Sequence, residues 1–210
     1  MKKCMLIGGA GFIGQNLAVA LKELYEINIV DRVDSIDSSL SFANYFKRDF
    51  FENGIEDELI KDMDYVVLLA CTVGPKTSME NPELCYKSDI VSLNRLLEQM
   101  KKLGDGKLIF ISSGGTVYGE HEEKMLNEEM QNFPINHYGI MKLTQEKIIL
   151  MYNSMYDMKN TIFRLSNPYG TGQRLSSGIG AVTAILNNVL QNEQIHIWGD
   201  GNVVRDYIYI

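Results

Sequence analysis

Tyr138 and Lys142 stand four residues apart in a stretch, Asn136 to Tyr156, that reads as a helix. That spacing puts both side chains on one helical face. A tyrosine with an ordinary pKa near 10 is a poor base at neutral pH. A lysine ammonium beside it favours the phenolate. Lowering the pKa by about 3 units takes about 4 kcal/mol of differential stabilisation, which a close charge pair in a sheltered cleft can supply. The phenolate can then take a proton from a hydroxyl while a hydride leaves the same carbon. The spacing also recurs by chance in a chain with 11 tyrosines, so its location must carry the reading. It lies downstream of Ser112-Ser113-Gly114-Gly115-Thr116-Val117-Tyr118-Gly119, a serine- and glycine-rich segment that follows an apolar run.

Gly8, Gly11 and Gly14 form G-x-x-G-x-x-G, with Gly9 in addition. The triplet alone is weak, but it follows a predicted strand and opens a predicted helix. One glycine allows a tight turn, another lets the backbone approach a pyrophosphate, and the last lets helix and strand pack closely. The helix start offers unpaired N–H groups and a partial positive charge to phosphates. Asp31 ends the next strand, about 20 residues after the middle glycine. Its carboxylate can accept from both ribose hydroxyls and would repel a 2′-phosphate, which favours NAD over NADP. Arg32 alongside softens that preference.

To hold these residues the chain must alternate strands and helices. Strands are predicted at Cys4–Ile7, Ile27–Val30, Asp64–Ala70, Leu108–Ile111, Thr161–Leu165, Ile195–Trp198 and Val203–Ile210. Helices are predicted at Phe12–Leu24, Pro82–Leu103, Asn136–Tyr156 and Ala181–Leu190. The repeated order predicts an α/β Rossmann fold: a doubly wound parallel sheet with helices on both faces. In such sheets ligands bind outside the carboxyl ends of the strands. Residues 1–166 are expected to form the NAD-binding domain. Residues 167–210 are expected to form part of a substrate-binding region, apparently truncated, because Val203–Ile210 is an alternating apolar run with no polar tail.

The formal net charge of −7 argues against a nucleic-acid partner, which would select a basic surface. Three cysteines without C-x-x-C spacing fit a reducing compartment, so a cytoplasmic location is expected. The apolar run at the N-terminus stops at Gly8, too short for a signal core or a membrane span. His121, His137 and His196 are scattered without ligand spacing, so no metal site is expected.

Taken together these residues resemble the extended short-chain dehydrogenase/reductase family, and within it the nucleotide-sugar epimerases of UDP-glucose 4-epimerase type. Gly8-Gly9-Ala10-Gly11-Phe12-Ile13-Gly14 looks like the family's cofactor loop. Asp49-Phe50 sits where the family contacts adenine, and Leu68-Leu69-Ala70-Cys71 resembles the segment that lines the cofactor. Ser112 and Leu165 join the implied cofactor set, with Asp31, Arg32, Tyr138 and Lys142. Ser113 to Gly119 and Tyr138 to Lys142 look like the catalytic segments. Arg164-Leu165-Ser166-Asn167-Pro168-Tyr169-Gly170 resembles a stretch in which Asn167 would touch the sugar nucleotide. Trp198-Gly199-Asp200-Gly201, then Arg205-Asp206-Tyr207, resembles the segment whose arginine holds the nucleotide phosphates.

The chain departs from that pattern at three places. Gly114 occupies the usual Ser or Thr position, so the substrate-facing hydroxyl would come from Ser113 or Thr116. Asp89 stands where an asparagine is usual near the cofactor, and the chain stops at Ile210 where the family continues. The dehydratases of the family carry an Asp-Glu pair where this chain has Gly115 and Thr116, which argues against dehydration. The resemblance therefore implies a 4-epimerase with Tyr138, Lys142, Thr116 and Ser113 as its catalytic set, NAD as cofactor, a UDP-hexose as substrate and a homodimer as a permitted assembly. The alternatives are a 4-keto-sugar reductase and an NAD-binding module without turnover.

Overall fold

A strand covered on both faces shows no polar alternation, and β1 (Lys2–Ile7) buries four residues in succession, Cys4 to Ile7. The computed structural model describes residues 1–104, 106–121, 125–173, 180–197 and 199–210. Along the chain β1 is followed by α1 (Phe12–Leu21), β2 (Tyr25–Asp31), β3 (Asn44–Lys47), α2 (Phe50–Asn53), α3 (Asp57–Ile60) and β4 (Tyr65–Leu68). Next come α4 (Pro75–Glu80), α5 (Pro82–Leu84), a π-helical turn at Cys85–Ile90, α6 (Val91–Leu103), β5 (Lys107–Ser113) and α7 (His137–Tyr156). The chain ends with β6 (Thr161–Leu165), β7 (Asn167–Tyr169), α8 (Ala181–Gln191) and β8 (Tyr207–Tyr209).

Six strands form one parallel sheet in the order β3-β2-β1-β4-β5-β6, the doubly wound Rossmann arrangement. Successive side chains on a strand point to opposite faces. Ile29, Leu6 and Val67 therefore share one row, and they pack with Ala18 of α1 and Leu40. Val30, Ile7, Leu68 and Phe110 form a row on the other face. Leu93, Leu96, Leu97 and Met100 of α6 and Ile149 and Tyr152 of α7 cover it. A third, smaller cluster gathers Val73, Cys85 and Met141 around Cys71 and Tyr138.

Pro82–Leu103 is helical throughout, as expected, with the π-helical turn set into it between α5 and α6; its predicted stop holds, with Gly104 left-handed at φ 74°. Several other expectations are corrected. β3 is an edge strand of half-exposed polar and aromatic residues, which leaves no apolar run to read. Residues 195–197 form no strand, and Ile197 is exposed; Trp198 lies outside the described residues. Of Val203–Ile210 only Tyr207–Tyr209 is a strand, paired in parallel with β7 in a separate two-stranded sheet. A strand persists only where a partner takes its backbone groups, and β7 offers that partner to three residues alone.

The fold buries Cys4 and Cys85 almost completely. Burial pushes both thiols up to about 11, and Cys71 up to about 12. An unfolded thiol ionises near 9.0, so above that pH the unfolded chain holds fewer protons than the folded one and stability falls as pH rises. The urea midpoint is expected to decline between about pH 9 and pH 12, with Cys4→Ala flattening the slope. A midpoint that rises across that window contradicts this account.

Candidate active site

The site lies at the carboxyl ends of β1, β2, β4 and β5. Gly8 leaves β1 at φ +84°, and a Cβ there would stand 2.7 Å from the Ala70 nitrogen. A Cβ on Gly14 would stand 2.5 Å from the Gly9 Cα. These approaches let α1 begin tight against the sheet. Gly11 caps α1 without a side-chain hydrogen bond, so the helix start carries no competing acceptor of its own. A cradle closed to every side chain, ending at an uncapped helix start, fits a dinucleotide pyrophosphate.

Asp31 binds the loop from the side. One carboxylate oxygen accepts from the Ala10 N–H at 3.0 Å and the other from the Arg32 N–H at 2.8 Å. Each oxygen keeps a second acceptor direction. The exposed Arg32 guanidinium reaches Asp49 at 3.9 Å. Asp49 caps α2 through the Phe51 and Glu52 N–H groups. Phe50 is only 5% exposed, with its ring in the core beside Phe51, so its side chain has little surface to offer a ligand. Leu69 and Ala70 both donate their N–H to the Ile7 carbonyl, which ties the start of the β4–α4 loop to the end of β1; Phe12 and Ile13 are the first two residues of α1.

On α7, Asn136 caps the first turn by accepting from the Gly139 N–H at 2.7 Å. Tyr138 donates its N–H to Ser78 of α4 at 3.1 Å. Lys142, 5% exposed, donates to the Ile111 carbonyl at 3.0 Å. Its ammonium lies 4.6 Å over the Phe110 ring and 5.8 Å over the Tyr138 ring. Burial pushes the Tyr138 phenol well above its ordinary value, and Cys71, Asp89 and Cys85 add to that. The lysine is turned to a backbone carbonyl instead.

Gly114 has a physical reason: a Cβ there would stand 2.9 Å from the Arg164 carbonyl oxygen. No hydroxyl side chain fits. The Thr116 hydroxyl is buried without a partner, so one free hydroxyl remains next to Gly115. Ser113 is half-buried at the end of β5, paired with Leu165. The Ser112 hydroxyl is engaged by Glu146. Asn167 lies close by, 4.0 Å from a Cβ built on Gly115, and donates to the Asp206 carbonyl at 2.8 Å. Arg205 is not gathered with the rest; it is exposed and donates to the Val204 carbonyl next to it.

Sequence reading missed the group that anchors this arrangement. Glu146, 3% exposed, pairs with Arg164 at 2.7 Å, and Arg164 stacks 4.7 Å from the Tyr118 ring. Its signal was present, since Glu146 follows Lys142 by four residues on the same stripe. His137, set aside earlier, meets the Tyr86 hydroxyl at 2.7 Å. The assembled set can hold a dinucleotide and move a proton at one phenol. Among the described residues no group of His, Cys, Asp and Glu is arranged to hold a metal ion. Among the same residues no helix is long and apolar enough to cross a membrane.

The family described as NAD dependent epimerase/dehydratase matches residues 4–210. The chain is 31% identical to a putative UDP-glucose 4-epimerase of Methanocaldococcus jannaschii, covering 98% of this chain and 69% of that protein. It is 30% identical to the dTDP-4-dehydro-6-deoxyglucose reductase of Escherichia coli, over 98% of this chain and 68% of the relative. The crystal structure of the Thermotoga maritima UDP-glucose 4-epimerase with UDP-glucose superposes with a TM-score of 0.88. It is 30% identical and covers 99% of this chain and 69% of that one.

Breaking a buried ion pair from one side leaves an uncompensated charge. Glu146→Leu is expected to cost about 3–5 kcal/mol, read by urea unfolding. A loss below about 1 kcal/mol, the size of an exposed pair, would show that Arg164 finds water instead.

Proposed function

We propose, from the premise that this chain belongs to the NAD dependent epimerase/dehydratase family, that it is a nucleotide-sugar 4-epimerase of the UDP-glucose/UDP-galactose type. The chain is an NAD-dependent enzyme of that family; the sugar and the reaction are our reading. What carries it is the composition of the site: the Tyr138 phenol, the buried Lys142 ammonium and the unpartnered Thr116 hydroxyl, with Gly115 and Thr116 where dehydration would call for carboxylates.

Bound NAD supplies the hydride acceptor and donor at C4 of the sugar. Tyr138 takes the proton of the 4-hydroxyl and returns it after the ketone has turned over. Lys142 supplies the positive charge that favours the phenolate and holds the cofactor ribose. Thr116, with Ser113 beside it, donates to the sugar oxygen. Gly8, Gly11, Phe12, Ile13 and Gly14 hold the pyrophosphate, and Asp31 with Arg32 reads the adenosine ribose. Asp49, Leu69, Ala70, Cys71, Ser112 and Leu165 line the rest of the cofactor site, with Phe50 contributing backbone alone, its ring being buried in the core. Asn167 binds the nucleotide end of the substrate, and the exposed Arg205 joins it by leaving the Val204 carbonyl.

Residues 1–166 form the cofactor-binding unit in this reading, and residues 167–210 part of the substrate-binding region. The change of sheet between Leu165 and Asn167 supports that division. Exposed apolar residues on α6 and α7, among them Val91, Ile140, Met151 and Met155, support a homodimer through those helices. The free cysteines support a cytoplasmic location. A second reading, a 4-keto-sugar reductase, is favoured by the likeness to the Escherichia coli reductase. It would need exchangeable cofactor, against which the acidic Asp31 argues when that cofactor is NADPH.

The test is incubation of the purified chain with UDP-glucose and with UDP-galactose, without added cofactor, and analysis of both products. Interconversion is expected. Tyr138→Phe should lower kcat by about 10²–10⁴-fold while NAD binding is retained. Full activity in Tyr138→Phe, or turnover of 4-keto sugars alone, would overturn the assignment.

A further inference from the structure

Tyr45 has no role in the account above. It lies on the edge strand β3, opposite Ile29 of β2 and two residues short of the level of Asp31. Two residues of strand span roughly 6.6 Å, a distance that a tyrosine side chain covers. The ring packs against the apolar cluster that holds Ile27 and Ile29, and the hydroxyl reaches the turn at the end of β2. There the single phenol hydrogen is shared between the Val33 carbonyl at 2.5 Å and the Asp31 carbonyl at 3.1 Å. The Arg48 N–H, just past β3, donates to the same Asp31 carbonyl at 2.9 Å.

Asp31 is the last residue of β2 and the last to pair with β3. Beyond it the chain bends. Arg32 is exposed, and its N–H donates to the Asp31 carboxylate itself. That carboxylate also accepts from Ala10 of the glycine loop at 3.0 Å. A group that must meet a ligand in one geometry needs its own support held as well. The Ala10 contact ties Asp31 to the phosphate side of the cradle. Tyr45 ties it to the edge of the sheet, through the carbonyls on both sides of Arg32. Lys47 pairs with Asp34 one residue further on, but that pair is exposed and holds the turn weakly.

We propose that Tyr45 is a positioning residue for the cofactor: its hydroxyl pins the Asp31–Val33 turn, so that the Asp31 carboxylate stands ready for the hydroxyls of the adenosine ribose of NAD. The proposal rests on the reading of Asp31 as the ribose acceptor. Without the hydroxyl, the turn carbonyls are left to water and the turn samples more than one shape. The carboxylate must then be ordered again each time NAD enters, at the expense of affinity. The loss falls on the adenosine ribose, because the bonds of Tyr45 go to this turn and to no part of the glycine loop or α7.

The experiment measures binding to the full chain by calorimetry, with NAD and with the NAD analogue that lacks the 2′-hydroxyl of the adenosine ribose. The unaltered protein is expected to prefer NAD. Tyr45→Phe keeps the ring in its cluster and removes the hydroxyl alone. It is expected to weaken NAD about tenfold and the analogue by less, so that the preference shrinks. In an Asp31→Ala background the same change is expected to weaken NAD less than about twofold, because the group it positions is gone. Unchanged NAD affinity in Tyr45→Phe, or an equal loss for both ligands or in both backgrounds, overturns the proposal; a residue that only supports the fold gives that pattern. If Tyr45→Phe folds poorly, amide hydrogen exchange in the unaltered protein decides. The Arg32 N–H, on an exposed residue, must be protected by the pinned turn, and free exchange overturns it. A preference for NAD that Tyr45→Phe leaves intact overturns the proposal and spares the reading of Asp31. No preference in the unaltered protein overturns both.

Discussion

Three charged side chains are withdrawn from water at the seam between α7 and the β5–β6 edge, and the geometry of the site follows from how they are satisfied. Lys142 is 5% exposed and Glu146 3%, and the Arg164 side chain retains 14%. The lysine is held by the Ile111 carbonyl, and the glutamate by Ser112 and Arg164. Each contact crosses from helix to sheet. A helix turns about 100° per residue, so a slip of one residue would carry all of these groups away from their partners and leave charges buried and unpaired. The register of α7 is thereby fixed, and Tyr138, one turn before Lys142, is delivered to the end of the sheet as a consequence.

The second constraint is the closeness of backbone to backbone at β1. Its neighbours are β2 on one side and β4 on the other, so the chain leaves β1 at the point where the winding of the sheet reverses. A crevice forms there in every sheet of this kind. Gly8 against Ala70 and Gly14 against Gly9 close its floor. Asp31 then bridges from β2 back to Ala10. The residue suited to read a ribose is thus also a strut of the loop that would hold the phosphates, and neither part can move independently of the other.

The sequence disclosed what periodicity and local chemistry control. Buried parallel strands declare themselves as unbroken apolar runs, and β1, β4 and β5 were read in that way. The glycine loop, Asp31 and the Tyr138–Lys142 stripe were legible from type and spacing. What could not be read depends on partners distant in the chain. The edge strand β3 has no apolar run because half of it faces water. Ile195 to Ile197 has strand composition but pairs with no strand among the described residues. The π-turn within Pro82–Leu103 brings Cys85 and Ile90 to the third core cluster, a tertiary demand with no local mark. The Glu146–Arg164 pair was missed although its spacing was visible, because a carboxylate on a helix reads as solvent-facing until the strand carrying its arginine is known.

Burial gives the site its electrostatic character. The desolvation that lifts the Tyr138 phenol above its ordinary range is the same low dielectric that strengthens every charge nearby. In water, an ammonium several ångströms from a phenol would shift its acidity little. In this pocket the same ammonium, a buried carboxylate or an incoming cation each acts with little screening. A phenol buried in this way is held far from ionisation and responds steeply to charge close to it. A solvent-exposed tyrosine with the same lysine would begin closer to ionisation and respond less. The cost is a polar interior; its charged groups are met by neutral donors at Asp89, a carbonyl at Lys142 and the Glu146–Arg164 pair, while Arg164 Nη1 and the Thr116 hydroxyl stay without a partner.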